Sequence, residues 1–308
     1  MDFFREATLC MTAVTAAACI GVGVAGAQPV PRAHYVALGS SYGAGAGIDP
    51  IVDQVCQRSG NNYAHQVADA LDLSLVDVTC SGATTANIVN SQQTIFGTTV
   101  PLQIDAVTAE ADLVTISIGG NDLGYVGGMI SHSCGLGLAG GVPVASHLAD
   151  MACSALPGGS AEPTPADFDR VTQSLTAVVS AVQQRAPHAK IVLVQYIPVF
   201  DSIATTCHRA PLEPADAAAS RRTFDGLLAS TREAATLTGA ATLTVPDAES
   251  HTVCSADPWV SGFGNPLATG SSGDGPRSIL GIIGNSYHPN EAGTNAVAAQ
   301  LAQMIGQW

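Results

Sequence analysis

The chain has 308 residues, 46% of them apolar and only 12% charged, with 25 acidic against 11 basic side chains and a formal net charge of -14. So low a charge density excludes a disordered chain, which needs high charge and little hydrophobicity; the acidic balance excludes nucleic acid, whose phosphates demand a basic surface. A membrane-spanning bundle is excluded too, because the one long apolar stretch sits at the extreme N-terminus.

That stretch, Met11 to Val24, is followed by Ala25-Gly26-Ala27. It is shorter than the roughly 20 apolar residues of a membrane span, and the A-x-A pattern reads as a signal-peptide cleavage site. Residues 1–27 are therefore expected to leave as an export signal, with lipid anchoring at Cys19 as the alternative. Residues 28–308 are expected to form a single secreted domain, extracellular or cell-wall associated. Six cysteines remain in it: Cys56, Cys80, Cys134, Cys153, Cys207 and Cys254. An even number in an exported chain reads as disulfides, and pairing in sequence order (56–80, 134–153, 207–254) is the simplest choice. No C-x-x-C pair, H-x-x-x-H pair or carboxylate cluster suggests a metal, and none is expected.

Along the chain, 33–40 is a short apolar run ending in glycines and reads as a buried strand. A helix is expected over 62–71 and a second strand over 73–79. Residues 112–118 (DLVTISI) form the clearest strand, stopped by Gly119-Gly120. Residues 124–163 are rich in Gly, Ala and Ser and read as a variable loop insertion. Thr164-Pro165-Ala166-Asp167 then supplies a cap, a proline in the first turn and an acid at the third position, opening a helix. A strand over 190–196, a long helix over about 215–235 and a strand over 241–246 follow. Asn290 caps the last helix. Strands without alternation, separated by amphipathic helices, mean a parallel sheet covered on both faces. The fold class is α/β, a three-layer α/β/α sandwich with about five strands.

Ligands of open parallel sheets bind outside the carboxyl ends of the strands. Four polar clusters fall at such ends or just before a helix. Gly39-Ser40-Ser41-Tyr42-Gly43 follows the first strand and Cys80-Ser81-Gly82-Ala83-Thr84 the second. Gly119-Gly120-Asn121-Asp122 follows the third, and Tyr287-His288-Pro289-Asn290 precedes the last helix. Each alone is an ordinary turn or cap. The first also fits G-x-S-x-G, the nucleophile elbow of α/β-hydrolases, but that elbow lies mid-chain, after several strands.

Together and in this order, the clusters resemble the sequence blocks of the GDSL esterases and lipases, the SGNH hydrolase superfamily, and in particular its secreted actinobacterial members. The likeness runs from the first strand to the final helix and is weakest over 124–163. It implies an SGNH-hydrolase-like fold with Ser41 as nucleophile and His288 as base. It also implies an oxyanion hole made by Ser41 N–H, Gly82 N–H and the Asn121 side chain. Two positions depart from the family pattern. Ser40 replaces the aspartate of Gly-Asp-Ser, and Asn285 stands where the family places an acid three residues before the histidine. A main-chain carbonyl, with Asn285 C=O foremost, is then expected to orient His288; a distant carboxylate, Asp274 or Asp257, is the alternative.

The chemistry is coherent on the residues themselves. A serine hydroxyl is a poor nucleophile until a neighbouring base takes its proton. The tetrahedral intermediate carries an oxyanion that preorganised N–H donors stabilise. The resemblance implies a secreted serine esterase or lipase acting through an acyl-enzyme on a small-molecule or lipid ester, with no cofactor, as a monomer without stable membrane insertion. Deacetylation of polysaccharide or cell-wall glycan would use the same machinery. The two missing aspartates leave a non-catalytic glycan- or lipid-binding scaffold as a third reading.

Overall fold

A computed structural model describes residues 32–139, 161–264 and 285–308. The expected export signal, Cys153 and Asp274 lie outside them. The first half runs β1 (His34–Gly39), α1 (Ser41–Ala44), β2 (Ile51–Asp53), β3 (Arg58–Ser59), α2 (Tyr63–Leu71), β4 (Ser74–Asp77) and α3 (Thr85–Val89). Then come β5 (Gln93–Ile95), β6 (Thr98–Val100), β7 (Ala111–Ser117) and α4 (Tyr125–Ala139). The remainder is α5 (Pro165–Arg185), β8 (Lys190–Val194), α6 (Pro214–Thr238), β9 (Ala241–Leu243) and α7 (Glu291–Ile305).

Five strands form one sheet in the order β4-β1-β7-β8-β9, parallel throughout. Their sequences explain the burial. Tyr35, Val36, Ala37 and Leu38 of β1, Val114 and Ile116 of β7, and Val192 and Leu193 of β8 all lie inside. Unbroken apolar runs of this kind suit strands covered on both faces. Helices supply the cover in two packed groups. α2 packs with α7, and α5 packs with α6, which α3 and α4 join. Right-handed crossovers, the rule for parallel strands, would give this division on a strand order that reverses at β1.

Helix starts follow the capping chemistry in the sequence. The Asn62 side chain accepts from the N–H groups of Ala64 and His65. Thr164 and Asp167 make a reciprocal capping box in front of α5, and Asn290 accepts from Gly293 N–H at 3.0 Å. Each cap satisfies backbone donors that the first turn leaves open, worth about 1 kcal/mol. Cys56–Cys80 and Cys207–Cys254 are disulfides, as sequence order suggested. Cys134 is also disulfide-bonded.

One expectation is corrected. The segment after Gly124 is not all loop, because α4 occupies 125–139. Tyr125, Val126, Met129 and Ile130 are buried at helical spacing. Glycines at 127, 128, 135 and 137 lower the helix propensity and blur the contrast between faces, so periodicity alone missed it.

Candidate active site

The strand order reverses between β1 and β7, and the crevice that ligands use in such sheets opens at their carboxyl ends. Gly39 ends β1 so close to β7 that a Cβ there would stand 2.5 Å from Ser117 O. Ser40 N–H then bonds Ser117 O at 2.9 Å, and the chain turns into α1 with Ser41 as its first residue. Ser41 is 8% exposed and His288 4%. The fold brings these residues, 247 positions apart, to a Ser41 Oγ–His288 Nε2 distance of 2.7 Å.

The other ring nitrogen decides the tautomer. His288 Nδ1 lies 2.9 Å from Ser286 O, and a carbonyl only accepts. Nδ1 therefore carries the proton, and Nε2 is free to accept from the Ser41 hydroxyl. The acceptor is one residue later than the Asn285 carbonyl expected. Tyr287 has φ 61, and this left-handed residue reverses the chain so that the imidazole folds back onto Ser286. The Asn285 carbonyl is a second, smaller main-chain influence on the ring. Asp257, the alternative carboxylate, sits instead beside His251, whose Nδ1 is 2.7 Å from the Asp257 carbonyl. Burial drives His288 down to about 4 from its ordinary 6.5, against the opposing pull of the Ser286 and Asn285 carbonyls. The ring is thus neutral across the physiological range.

The turn after β4 and the turn after β7 are bonded to each other and to the end of β1, beside Ser41. Gly82 is exposed in the turn after β4, with φ 78. Asn121 follows β7, and its Nδ2 donates to Ala83 O at 2.8 Å; an amide nitrogen has a second proton to offer. Its neighbour Asp122 accepts from Thr85 N–H at 3.0 Å. These two bonds clamp the Gly82 turn to the end of β7. The turn is also tied by the Cys56–Cys80 disulfide, by Ser81 N–H to Cys56 O and by Cys80 N–H to Gly39 O.

Several supporting residues escaped sequence reasoning. Ser40, in the place of the family's aspartate, hydrogen-bonds the Tyr196 hydroxyl at 2.7 Å. Burial pushes Tyr196 up to about 12, so its hydroxyl stays protonated. Tyr42 stacks on Tyr196 with ring centroids 3.9 Å apart, and its ring tilts against His288 at 5.4 Å. The Tyr42 hydroxyl donates to Tyr287 O at 2.9 Å, and the Tyr287 hydroxyl pairs with Ser133 Oγ. Adjacency to Ser41 or His288 placed Ser40, Tyr42 and Tyr287 in the polar clusters, but nothing in the sequence linked them to Tyr196 or Ser133, which lie 154 or more positions away.

Comparison with known proteins follows the same outline. The sequence pattern of the GDSL-like lipase/acylhydrolase family matches residues 37–296. Lipase 2 of Streptomyces coelicolor is 30% identical over 296 residues, spanning 91% of this chain and 88% of its own length. Among solved structures, the extracellular lipase of Streptomyces rimosus is 27% identical, with a TM-score of 0.61, over 89% of this chain and 99% of that one. A phospholipase A1 from Streptomyces albidoflavus shares the fold, with a TM-score of 0.61 at 23% identity over 90% and 99% of the two chains.

Proposed function

The chain belongs to the GDSL-like lipase/acylhydrolase family and is a carboxylic ester hydrolase; from that premise we propose that Ser41 and His288 carry the reaction as a dyad, through an acyl-enzyme. The observation that carries this reading is the 2.7 Å contact of Ser41 Oγ with a His288 whose other nitrogen is engaged by a carbonyl. As Ser41 Oγ attacks the ester carbonyl, its proton passes to His288 Nε2. The carbonyl oxygen becomes an oxyanion facing Ser41 N–H, Gly82 N–H and Asn121 Nδ2. His288 then gives the proton to the leaving alkoxide, freeing the alcohol. Water, activated by the same imidazole, attacks the acyl-serine and releases the acid.

The Ser286 carbonyl holds the tautomer as a carboxylate would, but as a dipole it stabilises the imidazolium less. Ser40, where the family pattern has an aspartate, makes a neutral hydrogen bond to Tyr196. All the proposed groups come from one chain, so a monomer suffices.

The reading extends to export, with residues 1–27 removed and 28–308 as the mature hydrolase. The disulfides support it, since they persist in oxidising compartments. The substrate is a lipid or small-molecule ester, and the acidic balance of the chain disfavours polyanionic ones. The test is Ser41→Ala on a chromogenic short-chain ester. The expected fall in kcat is on the order of 10³-fold or more; a rate within tenfold of wild type would refute the assignment.

A further inference from the structure

We propose that Gln93 is a positioning residue that aims Gly82 N–H into the oxyanion hole; the proposal rests on the reading of Ser41, Gly82 and His288 given above. Residues 80–83 form a β-turn closed by Ala83 N–H to Cys80 O at 3.1 Å. Gly82, third in the turn, has φ 78, the mark of type II rather than type I. The two types differ by a flip of the central peptide, here Ser81 C=O with Gly82 N–H. That unit is planar and trans, so its C=O and N–H point in opposite directions. Whatever fixes the carbonyl aims the N–H.

Glycine at 82 tolerates both conformations, so the local sequence leaves the direction open. Gln93 decides it. Its Nε2 donates to Ser81 O at 2.7 Å, which holds the carbonyl on the Gln93 side and leaves Gly82 N–H facing the opposite way, the heading assigned here to the oxyanion hole. The side chain enters from the β5–β6 hairpin, where Gln93 pairs with Val100. It lies against the turn so closely that a Cβ on Gly82 would come within 3.2 Å of Nε2. Among the described residues, Gln93 Oε1 is buried without a hydrogen-bond partner, so the donated bond is the amide's evident task. Stability offers little alternative account, since the fold already ties this turn through the disulfide and the bonds of Ser81 N–H and Ala83 C=O.

The test uses Gln93→Glu, which keeps the shape but presents an acceptor to Ser81 O, and Gln93→Leu, which removes the donor. Deleting an oxyanion-hole donor costs about 10²- to 10³-fold in kcat, and misdirecting one should cost about 10- to 100-fold. We expect that fall in kcat with KM within about twofold. We also expect weaker inhibition by a boronic acid, which forms a tetrahedral adduct on serine, by the same factor as the loss in kcat/KM. A purely structural role would lower the melting temperature without that proportionality. A kcat within twofold of wild type in both variants, or a lower kcat with unaltered boronate affinity, would overturn the proposal. Failure of the underlying site is separately visible, because wild-type protein would then show no covalent phosphonate on Ser41.

Discussion

Lowering the pH from neutral to about 4.5 forces a proton onto a histidine that the fold keeps dry. His288 titrates at about 4 in the folded protein, chiefly through burial, against an ordinary 6.5. Between those values the unfolded chain binds the extra proton and the folded one does not. Stability is therefore fully present above pH 6.5 and falls as the pH drops toward 4. Linkage between pH 7 and pH 4.5 gives a loss of about 2 kcal/mol from this ring alone. Carboxylates titrate in the same window, so the comparison is with His288→Gln, which removes the ring and keeps the rest. Urea unfolding at the two pH values should show wild type losing about 2 kcal/mol more than the variant. The same ring sets the acid limb of kcat/KM, since only neutral imidazole accepts the serine proton. That limb should lie near pH 4 to 5, far below the ordinary histidine range. Equal losses in both proteins, or an acid limb centred near 6.5, would refute the picture of a buried, neutral base.

Asn121→Ala removes an oxyanion donor and the bond to Ala83 O, and should cost about 3 kcal/mol in the barrier, read as a fall in kcat with little change in KM. Replacing Cys56 and Cys80 by serine opens a loop with a sequence separation of 24; loop entropy puts the loss near 3.5 kcal/mol, measurable by guanidinium unfolding. Tyr42→Phe leaves Tyr287 O without its donor, so it should lower stability by about 1 to 2 kcal/mol and reduce kcat more than KM. An unchanged kcat in Tyr42→Phe would show that the hydroxyl does not hold the His288 segment.

The sequence made most of the scaffold legible because its signals are local. An apolar run such as 112–118 or a cap such as Thr164-Pro165 declares an element without reference to the rest of the chain. The four polar clusters were readable for the same reason, each being continuous over four or five residues. What stayed hidden depends on long-range placement. Ser286 stands ahead of Asn285 as the acceptor for His288, beside a Tyr287 in a left-handed conformation that no local pattern announces for a tyrosine. Gln93 gains its task from a short hairpin whose strands are too brief to show alternation. Tyr196 matters because its hydroxyl meets Ser40, 156 positions away.

The most direct test of the central claim is intact-mass and peptide analysis after exposure to a fluorophosphonate. The account predicts one adduct per chain, on Ser41, slowed severely in His288→Gln and absent in Ser41→Ala. An adduct on another residue, or labelling that survives in Ser41→Ala, would contradict it.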